Sequence, residues 1–122
     1  MTRSRQSAKT AGTRFERQIA DYLAEALQDD RIDRMPLFGN RDRGDVSGVR
    51  IHGQRLTIEC KDRARLDLPT WTEEVRKAAG NADALTGVVI AKRHGCGDPG
   101  RQWVICTVDD LVALVSGQRG DQ

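Results

Sequence analysis

The stretch Arg55-Leu56-Thr57-Ile58-Glu59-Cys60-Lys61 decides how this chain is read. Leu56, Ile58 and Cys60 alternate with Arg55, Thr57, Glu59 and Lys61, the period of two that marks a β-strand with one apolar face. Glu59 and Lys61 are two apart and point to the same face, while Cys60 between them points the other way, into the core. The polar face then lies in water or in a cleft. There a carboxylate and an ammonium side by side form either an ordinary same-strand ion pair or part of a site.

Upstream, Asp45 to Ile51 reads as a second strand, and His52-Gly53-Gln54 as the turn of a hairpin. A hairpin turning there brings the start of one strand beside the end of the next, so Asp45 is an expected neighbour of residues 59–61. Gly44, just before it, permits close backbone approach. Two carboxylates brought together repel unless a cation is shared. Oxygen donors of this kind suit Mg²⁺, which keeps several waters and also takes phosphate oxygens. An ammonium beside them can stabilise charge developing on a phosphoryl oxygen or orient an attacking water.

The elements on either side follow from periodicity and caps. Phe15, Ile19, Tyr22, Leu23, Ala26 and Leu27 predict a helix over 13–28, with Thr13 as N-cap and Glu16 completing a capping box. Glu16 also borders the apolar stripe and can face the sheet. Residues 32–38 predict a short edge strand interrupted by Pro36, and Gly39 through Gly44 a charged turn. Pro69 opens a second helix running to Asn81 or Leu85, with Trp71, Val75, Ala78, Ala79 and Ala82 as its stripe. Residues 86–92 read as a buried strand, 94–100 as a loop, and 102–106 as a further strand. Thr107 caps a last helix over 108–115, with Asp110 completing the cap. Trp71 and Trp103 are both expected in the core. The order is helix, three strands, helix, strand, strand, helix, which is an α/β class with a mixed sheet.

The totals set limits. With 122 residues the chain holds one domain. Residues 1–12 read as a flexible basic arm, 13–116 as the single domain, and 117–122 as a frayed tail. An apolar fraction of 38% with 31% charged residues fits a soluble protein. Scarce aromatics argue against a stacking platform for single strands. Net charge is only +2; Arg14, Arg41, Arg43, Arg63, Arg65, Lys92 and Arg93 either contact phosphates around the expected site or belong to a solvated mixed-charge surface. Three cysteines without ligand spacing argue against a zinc site. No stretch has the length of a membrane span, so no membrane association and a cytoplasmic location are expected.

Gly44-Asp45 followed by Ile58-Glu59-Cys60-Lys61 resembles the signature of the PD-(D/E)XK nuclease superfamily, in which a hairpin carries Asp and then Glu-x-Lys. Gly44 stands here where that signature has Pro. The stretch Phe15-Glu16-Arg17-Gln18-Ile19, ahead of the hairpin, is similar to the first helix of the archaeal and phage Holliday-junction-resolving branch. Leu66-Asp67-Leu68-Pro69-Thr70-Trp71 and Lys92-Arg93-His94-Gly95 look like parts of small phage resolvases. The resemblance covers about residues 13–115. It implies a restriction-endonuclease-like mixed sheet flanked by helices and a structure-selective endonuclease hydrolysing phosphodiester bonds in branched DNA, Holliday junctions first. It implies Mg²⁺, with Mn²⁺ as substitute, held by Asp45, Glu59 and the carbonyl of Cys60. Glu16 would act directly or through water, Lys61 near the attacking water, and a homodimer would match the two-fold junction. Two alternatives stay open: a nuclease of this kind acting on flaps, nicks or a restriction-type site, and a non-catalytic nucleic-acid-binding module of the same fold.

Overall fold

A computed structural model describes residues 4–36 and 39–120. Its elements run α1 (Arg5–Ala26), β1 (Asp33–Arg34), β2 (Val46–Ser47), β3 (Arg50–Ile51), β4 (Gln54–Lys61), α2 (Leu68–Asn81), β5 (Thr86–Ala91), a 3₁₀ turn (Pro99–Arg101), β6 (Trp103–Ile105) and α3 (Val108–Ser116). The class is α/β with a mixed sheet in the order β1-β2-β4-β5-β6, and β3 pairs with β4 beside that path. β4 and β5 are parallel, joined by α2, and the other pairings are antiparallel.

The 45–51 strand is broken in two. Gly48 (φ +90°) passes so close to the chain ahead of β1 that a Cβ there would stand 2.5 Å from the Arg31 carbonyl oxygen. Only glycine allows that approach, and it bends the chain between β2 and β3. His52 (φ 52°) and Gly53 (φ 70°) then form a two-residue turn with both residues in the left-handed region, which aligns Ile51 with Gln54 and Arg50 with Arg55.

Each sheet face has its own core. Ile58, Val88 and Ile90 pack with Val46 against Phe15, Ile19 and Ala20 of α1. On the opposite face Val89 and Ala91 pack against Trp71 and Val75 of α2. Thr57 and Glu59 share that second face and are buried. The strand face expected in water or in a cleft is therefore covered.

Further expectations change. The basic stretch expected as a flexible arm is helical from Arg5, capped by Ser4, whose side chain accepts the Ser7 N–H at 3.1 Å. Thr13 thus lies inside α1 and caps nothing. Residues 5–12 carry Arg, Gln, Ala and Lys, which favour helix by intrinsic propensity without an apolar stripe. Residues 1–3 lie outside the described residues. The tail expected to fray is anchored: Arg119 donates to the Ala84 carbonyl at 2.9 Å, and the Gly117 carbonyl accepts from Gln54 at 2.7 Å. Residues 121 and 122 lie outside the described residues. The strand expected over 32–38 is two residues long, and Leu37 and Phe38 also lie outside. Trp103, expected in the core, is 47% exposed because β6 is the edge strand, whereas Trp71 is buried. No helix among the described residues is long and apolar enough to cross a membrane.

Candidate active site

The hairpin brings Asp45 to β4. The Asp45 N–H donates to the Ile58 carbonyl at 2.7 Å, and the Asp45 carboxylate accepts the Cys60 N–H at 2.8 Å. Gly44 makes this possible. Its φ is +101°, and a Cβ there would meet Thr57 Cγ2 at 2.9 Å and the Ile58 carbonyl at 3.1 Å. The carbonyl of Cys60 lies on the same edge of β4 as its N–H, because the two groups of one strand residue point the same way. The Cys60 side chain points to the α1 core, and burial first, then Asp45, pushes its thiol well above the usual range.

Glu59 is only 5% exposed, and its Oε1 is buried with no hydrogen-bond partner among the described residues. Burial is the largest influence on it, followed by Asp42 and then Asp45, both within hydrogen-bonding reach, and together they hold the carboxyl far above the ordinary carboxylate range. Asp42 is a member of the site that the sequence reading missed. It is held in place from two sides: its carboxylate accepts the Gly44 N–H at 2.9 Å, and its carbonyl accepts from Asn81 of α2 at 2.8 Å. Its only signal in sequence is its position three residues before Asp45, within a turn already full of charge.

Lys61 points to the α2 side with Glu59. Its Nζ lies 3.2 Å from Glu74 Oε1, a second residue missed by the sequence reading. The Lys61 side chain is 14% exposed, so its charge works in a partly dry setting. Glu16 reaches the same neighbourhood from α1. It is paired with Arg34 at 3.2 Å. Its carboxyl is raised by burial first and by the Asp45 charge second, while Arg34 opposes the shift. Glu16, Asp45, Glu59 and Asp42 therefore form a chain of interacting carboxylates. Among the described residues no three acidic, thiol or imidazole groups converge into a ready-made metal cage. The donors are all oxygens, the type a hard divalent cation takes, and the Glu59 carboxyl with its unbonded oxygen lies beside two further acids, Asp42 and Asp45.

The basic residues divide by position. β4 and β5 are parallel, so Arg63 and Arg65 after β4 leave the sheet at the same end as Lys92 and Arg93 after β5. The Lys92 N–H donates to the Lys61 carbonyl at 2.8 Å. His94 Nε2 lies 2.7 Å from the Arg63 carbonyl and 3.9 Å from Asp62 Oδ1, tying the two exits together. Arg93 stacks 4.7 Å over the Trp103 ring. Lys92 turns partly inward, donating to the Cys96 carbonyl at 2.8 Å. Arg14 sits one turn before Gln18 on α1, whose amide donates to the Gly97 carbonyl at 3.0 Å in the loop after β5. Arg41 and Arg43 flank Asp42 in the loop that leads to Asp45. Arg63, Arg65, Lys92 and Arg93 thus follow the strand ends at which Glu59 and Lys61 stand.

No family model matches the chain, and neither a curated protein nor a solved structure does.

Proposed function

We propose that the chain is a Mg²⁺-dependent, structure-selective DNA endonuclease of the PD-(D/E)XK kind, acting on branched duplex DNA and on four-way junctions first. The observation that carries this reading is the buried Glu59 Oε1, unpartnered beside Asp45 and Asp42, with Lys61 two residues along the same strand. A buried carboxylate oxygen left without a hydrogen bond costs about 1–3 kcal/mol, more if charged. A cation shared with Asp45 would offset that cost.

Asp45, Glu59 and the Cys60 carbonyl would hold the ion, Asp42 would add a further oxygen, and Glu16 would reach it through water. Mg²⁺, or Mn²⁺ in its place, would supply Lewis-acid polarisation of the phosphate and a more acidic bound water. The Cys60 N–H fixes the Asp45 carboxylate. Glu74 restrains Lys61, whose ammonium stabilises charge building on the phosphoryl oxygens and orients the attacking water. Arg14, Arg41, Arg43, Arg63, Arg65, Lys92 and Arg93 contact phosphates and position the duplex without reading its bases.

A junction with two-fold symmetry calls for a second copy of the chain. Val108, Leu111, Val112 and Val115 form an outward stripe on α3, and Val104 stands on the same side of the edge strand β6, all between 52% and 76% exposed. These side chains present roughly 500 Å² per copy and ~1,000 Å² for a pair, the size at which specific interfaces begin. Cleavage of labelled four-way junction, flap and linear duplex, with Mg²⁺ or with EDTA, tests the reading. Paired nicks in the junction that vanish in EDTA support it, and equal cutting of linear duplex contradicts the junction preference.

A further inference from the structure

Trp103 stands in one row of the sheet with Lys61. Lys61 of β4 pairs with Ala91 of β5, and Ala91 pairs with Trp103 of β6. Directly opposed residues on neighbouring strands share a face, so the Trp103 and Lys61 side chains both stand on the α2 side. Two strand spacings put their backbones about 10 Å apart. Ile105, two residues beyond Trp103, packs against Trp71 and Val75, which fixes the same face for both. Val104 points the other way, so Trp103 lies outside the surface assigned above to a second copy. The ring is 47% exposed even with Arg93 stacked 4.7 Å over it. Gln102 holds the backbone beneath this pair. It is buried, its Oε1 accepts the Arg93 N–H at 2.6 Å, and its amide donates to the Cys96 and Asp98 carbonyls at 3.0 and 2.7 Å. Both ends of the loop from Arg93 to Trp103 are thus fixed before any ligand arrives, which lowers the cost of binding one.

We propose that the Arg93–Trp103 pair is a stacking shelf for one nucleobase of the DNA held at the carboxylate centre. The inference rests on the nuclease reading and gives that reading a means of selecting branched DNA. An indole ring and a guanidinium plane both take a base face to face. Inside a duplex each base is covered on both faces by its neighbours. At an opened branch point one face is bare, and the shelf covers it. A single aromatic residue serves one base and not a run of single strand, in keeping with the scarcity of aromatics in the chain. Trp103 is then a positioning residue: it sets where the branch point lies relative to Lys61 and takes no part in the bond cleavage.

Trp103 and the buried Trp71 are the chain's two tryptophans, so intrinsic fluorescence reports on the shelf directly. The probes are tetrathymidylate and an abasic tetramer of equal charge, each titrated into the full chain in EDTA. The expected result is saturable quenching by tetrathymidylate and none by the abasic tetramer, which should bind about fivefold or more weakly. Trp103→Ala, at a half-exposed edge position, should lose the quenching and bind tetrathymidylate about fivefold or more weakly, and Trp103→Phe should recover most of that affinity. In gel shifts Trp103→Ala should weaken binding of a four-way junction more than binding of linear duplex. Equal binding of the abasic tetramer, quenching that persists in Trp103→Ala, or no saturable quenching would each overturn the shelf. A Trp103→Ala chain that sediments as a monomer where the parent is a dimer would also overturn it, by assigning the ring to contact between copies. A protein that cuts DNA without quenching loses the shelf and keeps the nuclease reading. One that shows the quenching and cuts nothing keeps the shelf and loses the nuclease reading.

Discussion

The Asp45 carboxylate accepts the Cys60 backbone N–H at 2.8 Å, while Glu59, the residue before Cys60 on the same strand, buries an oxygen with no hydrogen-bond partner among the described residues. One acid is fixed by the protein and its neighbour keeps an oxygen without a hydrogen bond. Asp45→Asn should keep the amide bond to Cys60, because the Asn side-chain carbonyl also accepts. It should abolish DNA cutting while leaving the affinity for branched DNA in EDTA within about threefold. Single-turnover cleavage and a gel-shift titration separate the two effects.

Glu59 should make the metal-free protein sensitive to alkali. Its folded-state pKa lies above the ordinary value of 4.5, so between those two values the folded chain binds more protons than the unfolded chain. The resulting stability is complete below about pH 4.5 and is lost as pH rises through the folded-state pKa. Glu59→Gln removes that dependence. It should raise the melting temperature in EDTA at pH 8 by several degrees, corresponding to about 1–3 kcal/mol. Mg²⁺ should stabilise the parent chain and leave Glu59→Gln unchanged. Thermal melts from pH 5 to 8, with and without Mg²⁺, read out both.

Lys61→Met should lower the single-turnover rate by about 10²–10⁴-fold, the range for loss of a positioned charged or proton-handling group. Glu74→Gln should act more mildly. Glu74 is 48% exposed, so the pair contributes little to stability. The expected changes are a melting temperature within about 2 °C of the parent and a rate lower by about three- to tenfold. A Glu74→Gln rate as low as that of Lys61→Met would give Glu74 a larger part than restraint.

Gly44→Ala should cost about 1–3 kcal/mol, since φ is +101° and the new Cβ meets Thr57 Cγ2 and the Ile58 carbonyl. The loop can relieve that clash by lifting away from β4, which would carry Asp45 out of reach of Cys60. Activity should therefore fall further than stability. A melt and a cleavage rate on the same preparation check this.

Leu111→Glu and Val112→Glu together should leave the fold intact, because both side chains are more than half exposed. They should convert a dimer to a monomer in sedimentation and uncouple the two nicks in a junction. A parent chain that sediments as a monomer at micromolar concentration would remove the second copy from the account.

Much of the arrangement was legible because it depends on short-range rules. Period-two alternation fixed β4, the turn at His52-Gly53 set the hairpin, and together they placed Asp45 beside residues 58–60. Thr107 and Asp110 form the expected capping box. Asp42 and Glu74 were hidden because their approach depends on tertiary packing: the loop folding over the α2 side of β4, and α2 lying along that face. The start of α1 was misplaced because an apolar stripe marks only the part of a helix that meets the core, and the turns before Thr13 are held by propensity and the Ser4 cap. Trp103 was expected inside because strand periodicity does not reveal which strand lies at the edge.

The central claim is that Asp45, Glu59 and Lys61 form a metal-dependent centre for phosphodiester hydrolysis. Its most direct test is incubation of a labelled four-way junction with the parent chain and with Asp45→Asn, in Mg²⁺ and in EDTA. The account predicts paired nicks near the branch point for the parent chain in Mg²⁺ alone, and none in the other three reactions. Absence of metal-dependent cutting on junction, flap and linear DNA alike would contradict it.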